Sequence, residues 1–170
     1  MFRDTHLIMT ARRAQLVDFV LIGAVGCGKT ALLKALLHSD GEVLKTQAVV
    51  FHQHSVIDTP GEFISHRSHY GALLATIAEI STVVYLQQAD NGQFSLPAGL
   101  MQVYPDKRII GVISKIDLPD ADIAARQILL RDNGIGEPYF ATSTATGQGI
   151  DSLRRYLMGL QGGPISSAAA

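Results

Sequence analysis

At 170 residues the chain is about one domain long, and a chain of that size buries roughly two thirds of the surface its unfolded form exposes, so a single core is expected. Its 15 acidic and 14 basic residues nearly cancel, which excludes a global field that would recruit nucleic acid or an anionic membrane. Apolar residues make up 47% of the chain, yet no run approaches the roughly 18 residues of a membrane span, and a single cysteine, Cys27, excludes an internal disulfide and suits a reducing cytoplasm. Residues 1–16 carry Arg3, Arg12 and Arg13 but no continuous apolar centre or small-residue cleavage site, so they are no secretory signal. Their apolar positions fit no clean period, and a frayed N-terminal extension is the preferred reading over a helix that addresses a partner. Val17 to Ile22 follows as a buried strand, and KTALLKALLHS from Lys29 as a helix with Leu32, Leu33, Leu36 and Leu37 on its apolar stripe. KTQAVVF and SVIDT are two short strands around the tight link HQH, His52 to His54, and would form an antiparallel edge pair. HRSHYGALLATIAEI is helical, TVVYLQQA a strand, PAGLMQVY a short helix and RIIGVIS a strand. ADIAARQILLRDNG is a helix with a glycine stop, PYFATS a short strand and GIDSLRRYLMGL the last helix. Strands that alternate with helices predict an α/β domain over 17–160, with a mostly parallel sheet, one antiparallel edge strand and helices on both faces. Residues 161–170 read as a solvated tail.

The chemistry starts at Gly23-Ala24-Val25-Gly26-Cys27-Gly28-Lys29-Thr30, which fits G-x-x-x-x-G-K-S/T directly after a strand and directly before a helix. Glycines let the backbone curl so that successive N–H groups point at phosphate oxygens, and the helix N-terminus adds its positive end. The cradle is assigned to Gly23, Ala24, Val25, Gly26, Cys27, Gly28, Lys29, Thr30 and Ala31, with Lys29 reaching the outer phosphates and the Thr30 hydroxyl ligating Mg2+. Downstream, VIDTPGE ends a strand with Asp58, which can hold Mg2+ through water, and turns through Pro60-Gly61, whose Gly61 N–H can meet a terminal phosphate. Thr46 is placed to give a hydroxyl or carbonyl to Mg2+ and the last phosphate. Taken alone, DTPG also reads as an ordinary turn, and isolated threonines before strands are common.

VISKIDL places Lys115 and Asp117 after a strand, and FATSTATGQGI is another strand running into a loop. Guanine carries two donors, N1–H and the N2 amino group, on one edge, so a fixed carboxylate such as Asp117 can accept both. Adenine offers an acceptor at N1, which would face that carboxylate with no proton between them.

The order of GAVGCGKT, Thr46, DTPG, SKID and STATG resembles the small Ras-like, translation-factor-class GTPases. KTQAV, IDTPGE, HRSHYGALLATIAE, VISKIDL and TSTATGQGIDSLRRYL are similar to the EutP/PduV family, associated with bacterial ethanolamine and propanediol utilisation microcompartments. The resemblance spans roughly Val17 to Leu160. It implies a Ras-like P-loop NTPase fold of about six strands and five helices, with GTP or GDP and Mg2+ at the carboxyl ends of the strands. By that match Thr46 and Asp58 to Gly61 form two switches, Lys115 and Asp117 contact the base, and Ser143, Thr144 and Ala145 close over it. A microcompartment shell protein or a pathway enzyme would be the partner, in the cytoplasm or at the microcompartment.

Departures from the general GTPase pattern qualify that reading. Ser114 stands where most GTPases carry asparagine, which shortens a side chain that braces the base pocket against the phosphate loop and weakens guanine preference, so ATP stays open. Glu62 follows Gly61 where a water-orienting glutamine often sits, and a carboxylate beside a triphosphate predicts slow hydrolysis. Val25 puts a branched side chain near the terminal phosphate, and Arg67 is the nearest candidate for an arginine finger, although an exposed helix arginine is the preferred reading. The catalytic set is then Lys29, Thr46, Gly61 and Glu62. His52, His54, His66 and His69 cluster in sequence as potential metal ligands, with solvated loop histidines preferred. Cys27 is read as packing under the loop, against the alternative of a reactive thiol with a lowered pKa. Three functions stay open: a GTPase switch, favoured; an ATP-using phosphotransferase acting on a small carboxylic acid, of acetate-kinase type; and a nucleotide-stabilised structural module.

Overall fold

Phe19–Ala24 form β1, and its first five residues are buried because successive side chains point to opposite faces of a sheet that is covered on both. Phe19 and Leu21 enter one core with Leu32, Leu36, Leu153 and Leu157, whereas Val20 and Ile22 enter a second with Ile77, Tyr85, Leu130 and Ile135. The structure, a computed structural model, describes residues 16–39, 42–43, 48–53 and 67–160. Among them the order is β1, α1 (Lys29–Leu37), β2 (His38–Ser39), β3 (Glu42–Val43), β4 (Ala48–Gln53), α2 (Arg67–Glu79), β5 (Thr82–Gln88), β6 (Arg108–Ser114), α3 (Ile123–Asp132), β7 (Tyr139–Ala141) and α4 (Ile150–Gly159). Five strands make the main sheet in the order β4-β1-β5-β6-β7, and every pairing in it is parallel. All strand ends that carry motif residues therefore open onto one edge.

The expected parallel α/β architecture with helices on both faces holds. Some details differ. The six-stranded sheet with an antiparallel edge is not seen: the described strands of the main sheet number five and are all parallel, and the sixth expected strand, 55–59, lies outside the described residues. His52 and Gln53, expected in a tight link, continue β4 instead, in register with Gly23 and Ala24 of β1. The antiparallel pairing that is described joins β2 to β3, two residues each, which is too short to leave a periodic signal in sequence. The short helix expected over PAGLMQVY is a single 3-10 turn, Leu100–Val103, started by Gly99 at φ 80 and closed by i to i+3 bonds such as Gln102 N–H to Gly99 O. Leu16, counted with the extension, is fully buried in the first core, and the Val17 N–H donates to the Leu157 carbonyl at 3.2 Å.

The last helix buries Ile150, Leu153, Arg154 and Leu157, the i, i+3, i+4, i+7 stripe of an amphipathic helix with one cation on it. That cation caps α1. Arg154, 9% exposed, donates from Nε to the Leu36 carbonyl at 3.0 Å and from Nη2 to the carbonyls of Ala35 at 2.5 Å and His38 at 2.9 Å. Nη1 pairs with the Asp151 carboxylate. An α-helix leaves its last carbonyls without partners, and one guanidinium answers three here. Arg154→Met keeps the stem but strands those carbonyls, and should cost about 2–3 kcal/mol of stability in a urea titration. A change under about 0.5 kcal/mol, the scale of an ordinary surface substitution, would refute the capping role.

Candidate functional site

The loop from β1 to α1 is built by two glycines with positive φ, Gly26 at 80 and Gly28 at 101, a region that residues with a Cβ rarely adopt. Gly23 is required for a different reason: a Cβ there would lie 2.6 Å from the Leu86 carbonyl oxygen and 2.8 Å from Cys27 Sγ. Cys27 is 1% exposed and tucked under the loop, in the packing role read from its position. Burial pushes its thiol pKa up, and the positive charges of Lys29 and Lys115 only partly oppose that. Burial and the direction of that shift both favour packing over a lowered pKa.

At the start of α1, Gly28 supplies no side-chain cap and the first turn holds no acidic residue. The leading N–H groups of the helix thus have neither intrahelical acceptors nor a carboxylate that would compete with an incoming anion. Val25 is 53% exposed at the mouth of the loop, and Thr30 and Ala31 are exposed beside it. Lys29 is 2% exposed, and its ammonium donates to the Gly23 carbonyl at 2.7 Å and the Ala24 carbonyl at 2.5 Å, while its contact with Cys27 Sγ is longer, at 3.7 Å. Burial lowers its pKa, and the contact with Cys27 works the other way. The charge is pinned to the carboxyl end of β1.

The second half of the site comes from the ends of β6 and β7. Ser114 closes β6, and its hydroxyl donates to the Cys27 carbonyl at 2.7 Å. The shorter side chain therefore does make the brace between base loop and phosphate loop that its length had put in question. Lys115 takes φ 58, the one positive value at a non-glycine among the described residues, and its ammonium donates to Gln88 Oε1 at 3.2 Å. Two residues on, Asp117 is exposed but seated: Ser143, fully buried, donates its hydroxyl to Asp117 Oδ1 at 2.5 Å. The Ser143 hydroxyl also accepts from the Thr146 N–H at 3.1 Å, which fixes the direction of its proton toward the carboxylate. Asp117 Oδ2 faces no described donor. Thr144 and Ala145 are exposed on the same turn.

The phosphate loop, Ser114, Lys115, Asp117 and Ser143 thus converge on the carboxyl edge of the sheet. Thr46, Asp58, Gly61 and Glu62 lie outside the described residues, as do His54 and His66. His52 falls in β4, and Arg67 and His69 in α2. Among the described residues no three of His, Cys, Asp and Glu gather into a metal-binding group. Sequence reading missed Gln88, whose amide meets Lys115, and Gly149, whose backbone approaches Ala141. The signal for Gln88 was its place: a polar residue ending a parallel strand beside the strand that carries the base motif.

Comparison with known proteins gives the family. Residues 17–159 match the family described as PduV-EutP, ethanolamine utilisation - propanediol utilisation. The chain is 45% identical over 139 residues to a Salmonella typhimurium protein named "Probable acetate kinase EutP", covering 82% of this chain and 87% of that one. A protein of the same name from Escherichia coli is 42% identical over 139 residues, with the same coverage of 82% and 87%. The "Propanediol utilization protein PduV" of Citrobacter freundii is 31% identical over 139 residues, covering 81% and 91%. With residues 17–159 matched by the family model and relatives 45% and 31% identical over 139 residues, the chain belongs to the PduV-EutP family of ethanolamine and propanediol utilisation proteins.

Proposed function

We propose that the protein binds guanine nucleotide with Mg2+ and hydrolyses GTP slowly, as a nucleotide-dependent switch serving ethanolamine or propanediol utilisation. The observation that carries this reading is the Ser114–Cys27 bond, which ties a phosphate-type loop to a loop presenting an oriented carboxylate. Uncapped N–H groups at the head of α1, the positive φ of Gly26 and Gly28 and the pinned Lys29 ammonium suit a polyphosphate. Thr30, with Thr46 and Asp58, would hold Mg2+, which supplies charge neutralisation at the phosphate oxygens when bound. Lys29 holds positive charge where negative charge develops on the outer phosphates, and Asp117 accepts from the two guanine donors. Glu62 faces like-charge repulsion beside a triphosphate, which keeps the water-directed step slow. The proposed setting is the cytoplasm, at the microcompartment shell or a pathway enzyme.

Asp117→Asn provides the base test. The amide loses one acceptor and gains a donor that suits the C2 carbonyl of xanthine, so affinity should shift from GTP toward XTP. Losing one charge-assisted bond of about 1.5–3 kcal/mol, with a donor set against a donor in its place, predicts GTP binding weaker by more than tenfold, about tenfold per 1.4 kcal/mol. Calorimetric titration of GTP, XTP and ATP reads it directly. Unchanged GTP affinity would remove Asp117 from the site.

A second reading has its own support in the relatives named as probable acetate kinases. The same loop would present the terminal phosphoryl group of ATP to a carboxylate oxygen, giving ADP and an acyl phosphate rather than GDP and inorganic phosphate. Incubation with GTP or ATP, with and without acetate, separates the two. Acetyl phosphate, trapped as the hydroxamate, favours the transferase. Acetate-independent release of inorganic phosphate favours the switch.

A further inference from the structure

We propose that Gln88 and Asp90 act as a positioning pair that holds the Lys115 ammonium in place on the base side of the site. The inference rests on the nucleotide-binding reading above and names residues that the family motifs do not include. Lys115 adopts φ 58, a conformation a residue with a Cβ enters only where its surroundings hold it. Its ammonium reaches Gln88 Oε1 at 3.2 Å, and Gln88 Nε2 in turn donates to Asp90 Oδ1 at 2.5 Å. An ammonium only donates and a carboxylate only accepts, so a primary amide between them has one permitted orientation, and both neighbours select it. Gln88 Oε1 must face the lysine and Nε2 the aspartate.

The backbone fixes the amide from below. Gln88 is paired in register with Ser114, the residue that precedes Lys115 and reaches the phosphate loop. The Gln88 carbonyl accepts from the Asn91 N–H at 3.2 Å, which places Asp90 in the same turn. Among the described residues Lys115 forms no ion pair with a carboxylate, so the aspartate acts on it through a neutral amide. A direct partner at the exposed Asp90 position would draw the ammonium toward solvent, whereas the amide stops it at the strand end. A long lysine side chain held before binding loses less rotamer freedom when a ligand packs on its stem. Gln88 therefore adds to nucleotide affinity through Lys115, equally for di- and triphosphate.

The test is a double-mutant cycle on GDP affinity, measured calorimetrically with Mg2+ on the full chain. Gln88→Leu should weaken GDP about fivefold and Lys115→Met about tenfold or more, with the double variant no weaker than Lys115→Met alone. Gln88→Glu, which keeps an acceptor for the ammonium but loses the donor to Asp90, should weaken GDP about twofold, less than Gln88→Leu. Asp90→Ala, at an exposed position where folding is not at stake, should weaken GDP by about twofold and lose that effect in the Lys115→Met background. Multiplying losses in the double variants would overturn the pair while leaving nucleotide binding intact. An unmodified protein that binds no guanine nucleotide would overturn both.

Discussion

Lys29→Ala should reduce GTP affinity by at least a hundredfold while the protein stays folded. The ammonium is held by the carbonyls of Gly23 at 2.7 Å and Ala24 at 2.5 Å, so its position does not depend on a flexible stem finding the ligand. Being almost wholly removed from water, it would act on a phosphate oxygen with little screening. Two charge-assisted contacts at about 1.5–3 kcal/mol each give the expected loss. Stability should respond differently. Burial depresses the Lys29 pKa, which means that the fold already bears a desolvation cost for that charge, and alanine relieves it while stranding two carbonyls. The opposing terms should leave the unfolding free energy within about 1 kcal/mol of the unmodified protein. Titration calorimetry and a urea melt on the same sample separate the two quantities. GTP affinity within threefold, on the order of 0.6 kcal/mol, would take Lys29 out of the phosphate site.

Gly149→Ala should have the largest effect on stability. Gly149 precedes α4 at φ 75, and a Cβ there would fall inside the van der Waals radius of the Ala141 carbonyl oxygen, 3.0 Å from the carbonyl carbon and 3.3 Å from Thr142 Cα. Ala141 cannot yield, because β7 is locked to β6 with Ala141 opposite Ile113 and the Thr142 N–H on the Ile113 carbonyl at 2.7 Å. Left-handed backbone and backbone overlap together should cost about 3 kcal/mol or more, a drop near 10 °C in Tm for a domain of this size. The same turn carries Ser143, which seats Asp117, so the variant should also bind guanine nucleotide more weakly than its stability alone requires. A loss below about 1 kcal/mol would mean that the turn has room the backbone geometry denies.

The phosphate loop was legible because its information is local: the glycines, the lysine and the strand and helix on either side lie within a dozen consecutive residues. The base side was legible in order but not in contact. Asp117 and Ser143 are 26 positions apart, and only the parallel pairing of β6 with β7 brings them together. Arg154 shows where reading stops. In LRRYL it looks equivalent to Arg155, yet one is buried against α1, 118 positions away, and the other is exposed. The helical period does distinguish them, since Arg154 falls on the stripe of Ile150, Leu153 and Leu157. Nothing in the sequence says which carbonyls would receive it. Gln88 escaped for the same reason, its role being set by a neighbour from another strand, and the short helix read over PAGLMQVY shrank to one 3-10 turn because so short a segment shows no period.

The bond from the Val17 N–H to the Leu157 carbonyl places the first and last described stretches side by side, at the amino end of β1. Six residues of extended chain, about 20 Å, separate that corner from the loop at the other end of the same strand. The chain on either side of that bond, Val17 and Leu157, is therefore held at the stern of the molecule. A label placed beside Leu157 would report from there, with the length of a strand between it and a nucleotide bound at the bow.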